Sequence, residues 1–355
     1  MGEITGGVAS CHAGRIRGRE GGGARAEDFQ RETPPRTAEV SRRRKSTLIQ
    51  GMQSIRVPAF AKVNLRLDVL ARRADGYHEL RTIFQSISLH DTLQLERTRE
   101  RGIELEIVGD PALAAGAQRE NLVWRAAEAF RRRMSFPGGV HMTLKKRIPV
   151  GRGLGGGSSD AAAALVSLLR LTKQRIASER LLEIAAGLGA DVPFFLFGGR
   201  ALGTSRGDEI YPLPDSRRRT LLVVSPRDTA VSTRDAYGWL DRRLTKNPGN
   251  PRLWSFCALC WSPQEDHLSN DFEAVVFRRH PRLARIRRAL LQGGAAEAAL
   301  AGSGSAVFGI FTNPAQARRS ARLFPEDQVF VCSTLSRRAY ARALWGSAAG
   351  GASGT

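Results

Sequence analysis

Lysine is scarce in this chain, and aromatic residues are few. Only six of the 55 basic residues are lysine, against 34 acidic residues, so arginine carries most of the formal charge of +21 over 355 residues. Such a charge suggests a nucleic-acid partner. Nucleic-acid surfaces, however, usually interleave basic residues with aromatic rings, which make up 7% here. Because the arginines are also scattered, we interpret them as an arginine-rich composition and expect no nucleic-acid partner.

Cysteine is also rare, and long apolar runs are absent. Four cysteines are too few for a disulfide framework in a chain of this length. Cys257 and Cys260 form one CxxC pair, without the second pair or the spaced histidines of a zinc site. No stretch of eighteen uncharged apolar residues occurs, which excludes an ordinary membrane-spanning helix. We therefore expect no metal site of the protein's own, no membrane partner and a cytoplasmic, bacterial location.

Composition divides the chain into four segments. Residues 1–51 combine ten basic and six acidic residues with many glycines, which predicts a disordered basic extension. Met52 follows it and is a plausible alternative start. Residues 52–215 and 216–340 mix strand and helix patterns, which predicts an α+β protein with an N-terminal and a C-terminal domain. The glycine-rich end predicts a flexible tail over residues 341–355.

Local patterns predict three elements near the centre of the chain. Apolar residues from Val63 to Val69 alternate with polar ones, which predicts a half-buried strand. Asn121 can cap a helix over 122–134. A second helix is predicted from about Ser158, where an alanine- and leucine-rich segment begins.

The strongest single feature is a glycine run directly before that second helix. Five of the seven residues from 151 to 157 are glycine. Such a run has a high entropic cost on folding, and close approach of backbone N–H groups to an anion explains it. The dipole of the following helix would favour the same anion, typically a diphosphate or triphosphate. A flexible hinge without a ligand is the alternative.

Three common phosphate loops do not fit this run. A Walker A loop needs a lysine directly after its glycines, and none is present. The dinucleotide fingerprint needs an acidic residue at the end of the next strand, but the candidate, Glu179, opens a predicted helix. A protein-kinase loop would be followed by His-Arg-Asp and Asp-Phe-Gly motifs, which the sequence lacks.

The run from Pro149 to Asp160 resembles the ATP loop of the galactokinase, homoserine kinase, mevalonate kinase and phosphomevalonate kinase superfamily. Two further segments resemble other motifs of that superfamily, namely 59–65 and 301–308. Three more narrow the resemblance to its 4-diphosphocytidyl-2-C-methyl-D-erythritol kinases, namely 73–80, 189–194 and 268–273. The match covers about residues 56–340 and leaves out both ends.

This resemblance implies a two-domain small-molecule kinase fold with the active site in the cleft between the domains. It implies transfer of a phosphoryl group from ATP, bound with Mg²⁺, to the 2-hydroxyl of 4-diphosphocytidyl-2-C-methyl-D-erythritol in the non-mevalonate isoprenoid pathway. A monomer or a homodimer is expected. A homoserine or mevalonate kinase is the alternative, although Asp75-Gly76-Tyr77-His78 would have no purpose without a cytidine group. A basic nucleic-acid-binding protein is the remote alternative.

The resemblance also assigns residues to the substrate. Asp191 is implied as the catalytic base and Lys62 as the catalytic lysine, with Asn64, Tyr77, His78 and Asp191 binding the substrate. Asp191 could instead brace its turn, and an isolated lysine in a strand is usually a solvated edge residue. Tyr77 and His78 could simply form an exposed turn.

On the nucleotide side, the resemblance assigns ATP contacts to Asn121, Lys146, Pro149, Val150, Gly151, Arg152, Gly153, Leu154, Gly155, Gly156, Gly157, Ser158 and Ser159. Lys146 could instead belong to a solvated basic run. Arg152 stands where the superfamily tends to carry a small residue, and we expect its side chain to point to solvent or to phosphate. The third glycine motif, Gly302, Ser303 and Gly304, is implied near the substrate.

Overall fold

The computed structural model describes residues 54–136, 138–244 and 268–346. The predicted extension, the alternative start at Met52 and the Cys257–Cys260 pair lie outside the described residues. Within the described part, no helix is both long enough and apolar enough to cross a membrane.

Two long strands form the centre of the first sheet. β1 (Ser54–Arg72) and β2 (His78–Thr98) pair antiparallel along most of their length. Three register shifts interrupt the pairing, and such bulges bend a strand and redirect its side chains. The prediction of a half-buried strand is wrong, because Asn64 and Asp68 are as buried as the apolar residues between them. β1 has packed protein on both faces, so its polar side chains also lie inside.

Five shorter strands complete the first sheet. β4 (Gly139–Lys145) and β5 (Arg200–Thr204) pair with different parts of β2. The other three are β3 (Ile103–Val108) beside β4, β6 (Glu209–Pro212) beside β5, and β8 (Ser269–Asn270) beside β1.

Helices cover one face of this sheet. They are α1 (Pro111–Ala115), α2 (Leu122–Arg133), α3 (Gly156–Thr172), α4 (Ser178–Leu188) and α5 (Phe194–Phe197). The predicted helix over 122–134 is confirmed, and the Asn121 side chain caps it by accepting from the Val123 amide over 2.9 Å. α3 begins two residues earlier than predicted and is buried on almost every side, because its many alanines let it pack closely against the sheet.

The second sheet has the order β11–β7–β10–β9 and is antiparallel throughout. Its strands are β7 (Thr220–Ser225), β9 (Glu297–Leu300), β10 (Val307–Phe311) and β11 (Gln328–Ser333). The accompanying helices are α6 (Thr233–Leu244), α7 (Glu273–Arg279), α8 (Pro281–Gln292) and α9 (Pro314–Ser320). Alternating residues of β7 face these helices, as Leu222 does, or the first sheet, as Val223 does.

The connection between the sheets passes through residues 213–219, where the predicted domain boundary falls. The described residues belong to one compact unit, and β8 returns to the first sheet from the second half of the chain. The division into two domains therefore stays a prediction.

The last helix, α10 (Arg337–Trp345), occupies the first part of the predicted tail. The prediction of a tail from residue 341 began too early, because Leu344 is buried in the core. The Tyr340 hydroxyl donates to the carbonyl oxygen of Phe195 over 2.7 Å, and the Trp345 indole donates to that of Leu196 over 3.1 Å. α10 thus satisfies carbonyl groups of α5. Residues 347–355 lie outside the described part.

Candidate active site

A cavity of about 1070 Å³ lies among β1, the glycine run and α6. Most of the predicted site residues line it, namely Lys62, Asn64, Tyr77, His78, Asn121, Lys146, every residue from Pro149 to Ser158, Asp191, Gly302 and Ser303. Ser159 and Gly304 are not among its lining residues. The Ser159 side chain lies on the buried side of α3, and its hydroxyl has no hydrogen-bond partner within the described part.

Lys62 and Asp191 meet on the wall of this cavity. The Lys62 Nζ atom lies 3.5 Å from Asp191 Oδ2, and the side chains are 5% and 34% exposed respectively. The interpretation of Lys62 as a solvated edge residue is therefore wrong. The N-cap of α5 is Pro193, so Asp191 is not the capping residue of that helix. The pair combines a carboxylate open to the cavity with a buried cation that can stabilise negative charge.

Asn64 holds the Lys62 ammonium in place. Lys62 Nζ donates to Asn64 Oδ1 over 2.8 Å, as expected for residues on one face of a strand. Asn64 Nδ2 donates to Thr82 Oγ1 over 2.7 Å, and this hydroxyl donates to the carbonyl oxygen of Arg66 over 2.7 Å. The chain of bonds orients the Asn64 amide, so its oxygen faces the lysine.

Close approach of the backbone explains two glycines of the run. Gly153 has φ of +78°, and a Cβ atom there would lie 1.9 Å from the Ala301 carbonyl oxygen. Gly155 has φ of +71°, and a Cβ atom there would lie 2.7 Å from the Phe195 ring. The Lys62 amide donates to the Leu154 carbonyl oxygen over 3.0 Å, which attaches the run to a bulge of β1. The first turn of α3 consequently lines the cavity from a fixed position.

Lys146 is buried between two carboxylates and does not belong to a solvated run. Its side chain is 5% exposed, and its Nζ atom lies 2.5 Å from Asp91 Oδ2 and 2.7 Å from Asp160 Oδ2. Asp91 also accepts from the Arg147 and Ile148 amides. One ammonium balances only one of two buried carboxylates. Burial, opposed by the Lys146 charge, raises the pKa of Asp160 to about 8.

This carboxyl group should give the protein a pH-dependent stability. The unfolded chain loses the Asp160 proton near its ordinary pKa of 3.8, whereas the folded protein keeps it to about pH 8. Between these values the folded state binds the extra proton, so its stability falls as pH rises. Raising the pH from about 5 to about 8 should therefore lower the free energy of unfolding more in the wild type than in Asp160→Asn. Urea unfolding measures this difference, and parallel pH profiles would contradict it.

A second wall of the cavity is formed by the β1–β2 turn and α6. The His78 ring stacks on the Tyr237 ring, with centroids 4.4 Å apart, and His78 Nε2 lies 2.5 Å from Asp241 Oδ1. Tyr77 is 54% exposed, and the Arg206 guanidinium carbon lies 4.9 Å from the centre of its ring. Burial and the nearby Asp191 charge raise the pKa of the Tyr237 phenol. This wall offers aromatic faces and hydrogen-bonding groups to a planar ring.

Sequence reasoning missed the residues of α6 that line the cavity. Thr233, Tyr237 and Asp241 are spaced four residues apart and lie on the wall together. That spacing places side chains on one face of a helix. Their regular spacing was the available signal, but it does not show which cavity the helix face meets.

The third glycine motif is held in place by Asn270 and Glu273, within the segment 268–273. Asn270 Nδ2 donates to the carbonyl oxygens of Leu300 and Gly302 over 2.9 and 2.8 Å. Glu273 Oε1 accepts from the Leu300 amide over 2.8 Å. These bonds brace the motif at Leu300 and Gly302.

The expectation for Arg152 did not include its protein partners. Its side chain is half-buried on the cavity wall, and its guanidinium group donates to the carbonyl oxygens of Arg227 and Thr229 and to the Ser305 hydroxyl. These acceptors attract the cation because they present three oxygens to a planar fork of donors.

Family models match both halves of the chain. The GHMP kinases N terminal domain matches residues 121–199, and the GHMP kinases C terminal domain matches residues 254–325. A 4-diphosphocytidyl-2-C-methyl-D-erythritol kinase of Solibacter usitatus is 45% identical over 81% of this chain and 90% of the relative. The chain belongs to the 4-diphosphocytidyl-2-C-methyl-D-erythritol kinase family of GHMP kinases. The resemblance noted from its motifs is confirmed, and so is the α+β kinase fold.

Other similarities separate this family from its fold relatives. The Moorella thermoacetica 4-diphosphocytidyl-2-C-methyl-D-erythritol kinase is 42% identical over 80% of this chain and 100% of its own. A crystal structure of 4-(cytidine 5'-diphospho)-2C-methyl-D-erythritol kinase is 35% identical, covers 79% of this chain and 99% of its own, and has a TM-score of 0.67. The homoserine kinase of Cytophaga hutchinsonii is 19% identical over 81% of this chain and 96% of its own, with a TM-score of 0.61. It shares the fold alone.

Proposed function

We propose that this kinase transfers the γ-phosphoryl group of ATP to the 2-hydroxyl of 4-diphosphocytidyl-2-C-methyl-D-erythritol. The observation that carries the proposal is the single cavity in which Lys62 and Asp191 share a wall with the glycine run and with the His78–Tyr237 stack. A phosphate-binding loop, an acid–base pair and a face for a planar ring are the parts that this reaction requires.

In the proposed reaction, the 2-hydroxyl oxygen forms a bond to the γ-phosphorus, and the bond from that phosphorus to the leaving oxygen of ADP breaks. The carboxylate of Asp191 accepts the hydroxyl proton. The Lys62 ammonium stabilises negative charge on the transferred group. Asn64 orients that ammonium, since its Oδ1 atom accepts a hydrogen bond from Lys62 Nζ over 2.8 Å.

ATP is proposed to bind along the glycine run, with its phosphates at the first turn of α3. Its adenine would lie toward Asn121 and Lys146, which line the same cavity. Among the described residues, no cluster of three or more His, Cys, Asp or Glu side chains could hold a metal ion. A Mg²⁺ ion carried by the ATP phosphates would be held near Ser158, which lines the cavity and whose hydroxyl could serve as a ligand. Bound there, Mg²⁺ neutralises phosphate charge.

The cytidine group is proposed to bind at the second wall. Tyr77 and Tyr237 offer ring faces for stacking, and His78, held by Asp241 over 2.5 Å, offers a nitrogen for hydrogen bonding. Tyr77 is 54% exposed beside the Arg206 guanidinium, so much of its ring is accessible to a bound base.

A substrate panel tests the proposal directly. The purified full chain, with Mg²⁺ and ATP, should phosphorylate 4-diphosphocytidyl-2-C-methyl-D-erythritol. It should leave homoserine and mevalonate almost unchanged, because neither carries a planar ring that could bind at the second wall. ADP release measures turnover, and the phosphorylated product is identified by mass spectrometry. Equal turnover of homoserine or mevalonate would overturn the assignment. A salt-dependent gel shift with plain duplex DNA tests the nucleic-acid alternative.

A further inference from the structure

Arg152 connects the glycine run to two distant segments of the chain. Its Nη1 atom donates to the Thr229 carbonyl oxygen and, over 2.7 Å, to Ser305 Oγ, while Nη2 donates to the Arg227 carbonyl oxygen over 3.4 Å. Its own carbonyl oxygen accepts from the Ala306 amide over 3.2 Å. Side chain and backbone of one residue therefore bind both segments.

Two of the acceptors of Arg152 are also hydrogen-bonded to each other, and together with Arg152 they form one cluster. Ser305 is fully buried, and its hydroxyl also donates to the Thr229 carbonyl oxygen, over 2.5 Å. A guanidinium group carries five donors in a planar fork and no acceptor. It can therefore bind several oxygens at once, which a single ammonium on a flexible stem does less well.

Each segment joined by Arg152 carries part of the cavity wall. The glycine run continues into Gly153, which touches Ala301. In the third glycine motif, a Cβ atom on Gly302 would lie 3.4 Å from Lys62 Nζ. The segment 227–229 leads into α6, where Thr233 Oγ1 lies 3.0 Å from Ser303 Oγ. Arg152 thus lies where the ATP side, the third motif and the substrate-facing helix meet.

We propose that Arg152 is a positioning residue that keeps these three segments in register for phosphoryl transfer. The inference rests on the proposed function and adds a residue that touches neither the transferred group nor the acceptor hydroxyl. Transfer requires the attacking and leaving oxygens to lie in line with phosphorus, and a small displacement of a reactant lowers the rate strongly. The loss of Arg152 should accordingly reduce kcat, while the ATP affinity stays nearly unchanged.

Arg152→Ala tests this role by separating kcat from binding. We expect kcat to fall by roughly tenfold, with little change in the Kd of a non-hydrolysable ATP analogue measured by calorimetry. Arg152→Lys should retain an intermediate kcat. Guanidinium ion, added far below denaturing concentrations, should restore part of the kcat of Arg152→Ala. An unchanged kcat, or a loss confined to ATP affinity, would overturn the proposal.

Arg170→Ala is the matched control. Arg170 lies in the last turn of α3 and donates to the Leu344 carbonyl oxygen over 2.5 Å. Loss of the Arg170 side chain should lower the melting temperature. The value of kcat, and the response of kcat to guanidinium ion, should both remain as in the wild type. The same kcat loss in this variant would assign the Arg152 effect to general destabilisation.

Ser305→Ala supplies a second test through a double-mutant cycle. If both residues act through one cluster, the kcat losses of the single variants should not multiply in Arg152→Ala/Ser305→Ala. If Arg152→Ala does not fold, the double-mutant cycle is built from Arg152→Lys, Ser305→Ala and the variant that carries both changes. Independent, multiplying losses would contradict the cluster. The wild type is assayed in parallel. If the proposed function is wrong, the wild type itself shows no turnover, whereas a failure of the Arg152 proposal alone leaves its turnover intact.

Discussion

Asp191→Asn should lose almost all turnover and bind ATP nearly as well as the wild type. The amide keeps the shape of the side chain but cannot accept the proton of the 2-hydroxyl group. Loss of a positioned general base lowers kcat by roughly 10²- to 10⁴-fold. The glycine run that we assign to the phosphates does not include this residue, so ATP affinity should change little. Steady-state kinetics at saturating substrates and calorimetry with an ATP analogue measure the two effects.

Asp235→Asn is the control for this prediction. Asp235 lies in the first turn of α6, its side chain is exposed, and it is not among the residues that line the cavity. The same chemical change there should leave kcat unaltered. Substantial turnover in Asp191→Asn would remove Asp191 as the base. A fall in melting temperature without a fall in kcat would instead favour a role for Asp191 in bracing its turn.

Gly153→Ala should disrupt the contact between the glycine run and the third glycine motif. The new Cβ atom would lie 1.9 Å from the Ala301 carbonyl oxygen, so the two backbones would have to separate. Left-handed backbone adds about 1–2 kcal/mol to the cost for a non-glycine residue, and overpacking adds about 1–3 kcal/mol. We expect a large loss of stability in urea unfolding and a large loss of ATP turnover.

Gly151→Ala separates the two causes of this loss. Gly151 also has a positive φ, +68°, but a Cβ atom there would meet nothing within 4 Å. In urea unfolding it should therefore show only the backbone cost of about 1–2 kcal/mol, without the cost of overpacking. If both variants lost stability equally, backbone conformation alone would explain the two glycines, and the contact with Ala301 would not matter.

Features that lie within a few residues of one another could be predicted from the sequence. The glycine run followed by a helix, the cap at Asn121 and the shared strand face of Lys62 and Asn64 all depend on local backbone geometry. Each was visible because residues close in sequence have few possible arrangements. The burial of β1 on both faces could not be predicted, since alternation looks the same whether the second face meets solvent or a second sheet.

Contacts between distant segments could not be predicted. His78 and Asp241 are 163 positions apart, and Arg152 and Thr229 are 77 positions apart. A solvated run was the alternative for Lys146 because its neighbours are basic, whereas Asp91, 55 positions away, is buried beside it. The charge of a side chain follows from its residue type, but the partner that neutralises this charge depends on how the sheets pack.

The sequence by itself therefore determined which chemical groups this kinase carries and which local backbone structure surrounds each of them. Three short motifs, at 59–65, 149–160 and 301–308, and one pair of charged residues already indicated a phosphoryl transfer through their resemblance to a kinase superfamily. The tertiary structure alone decided which groups share a cavity, because a strand bulge, the start of α3 and one face of α6 converge only when the two sheets pack together. It also decided that Arg152 binds protein oxygens, since the carbonyl groups of residues 227 and 229 reach it only in the folded chain.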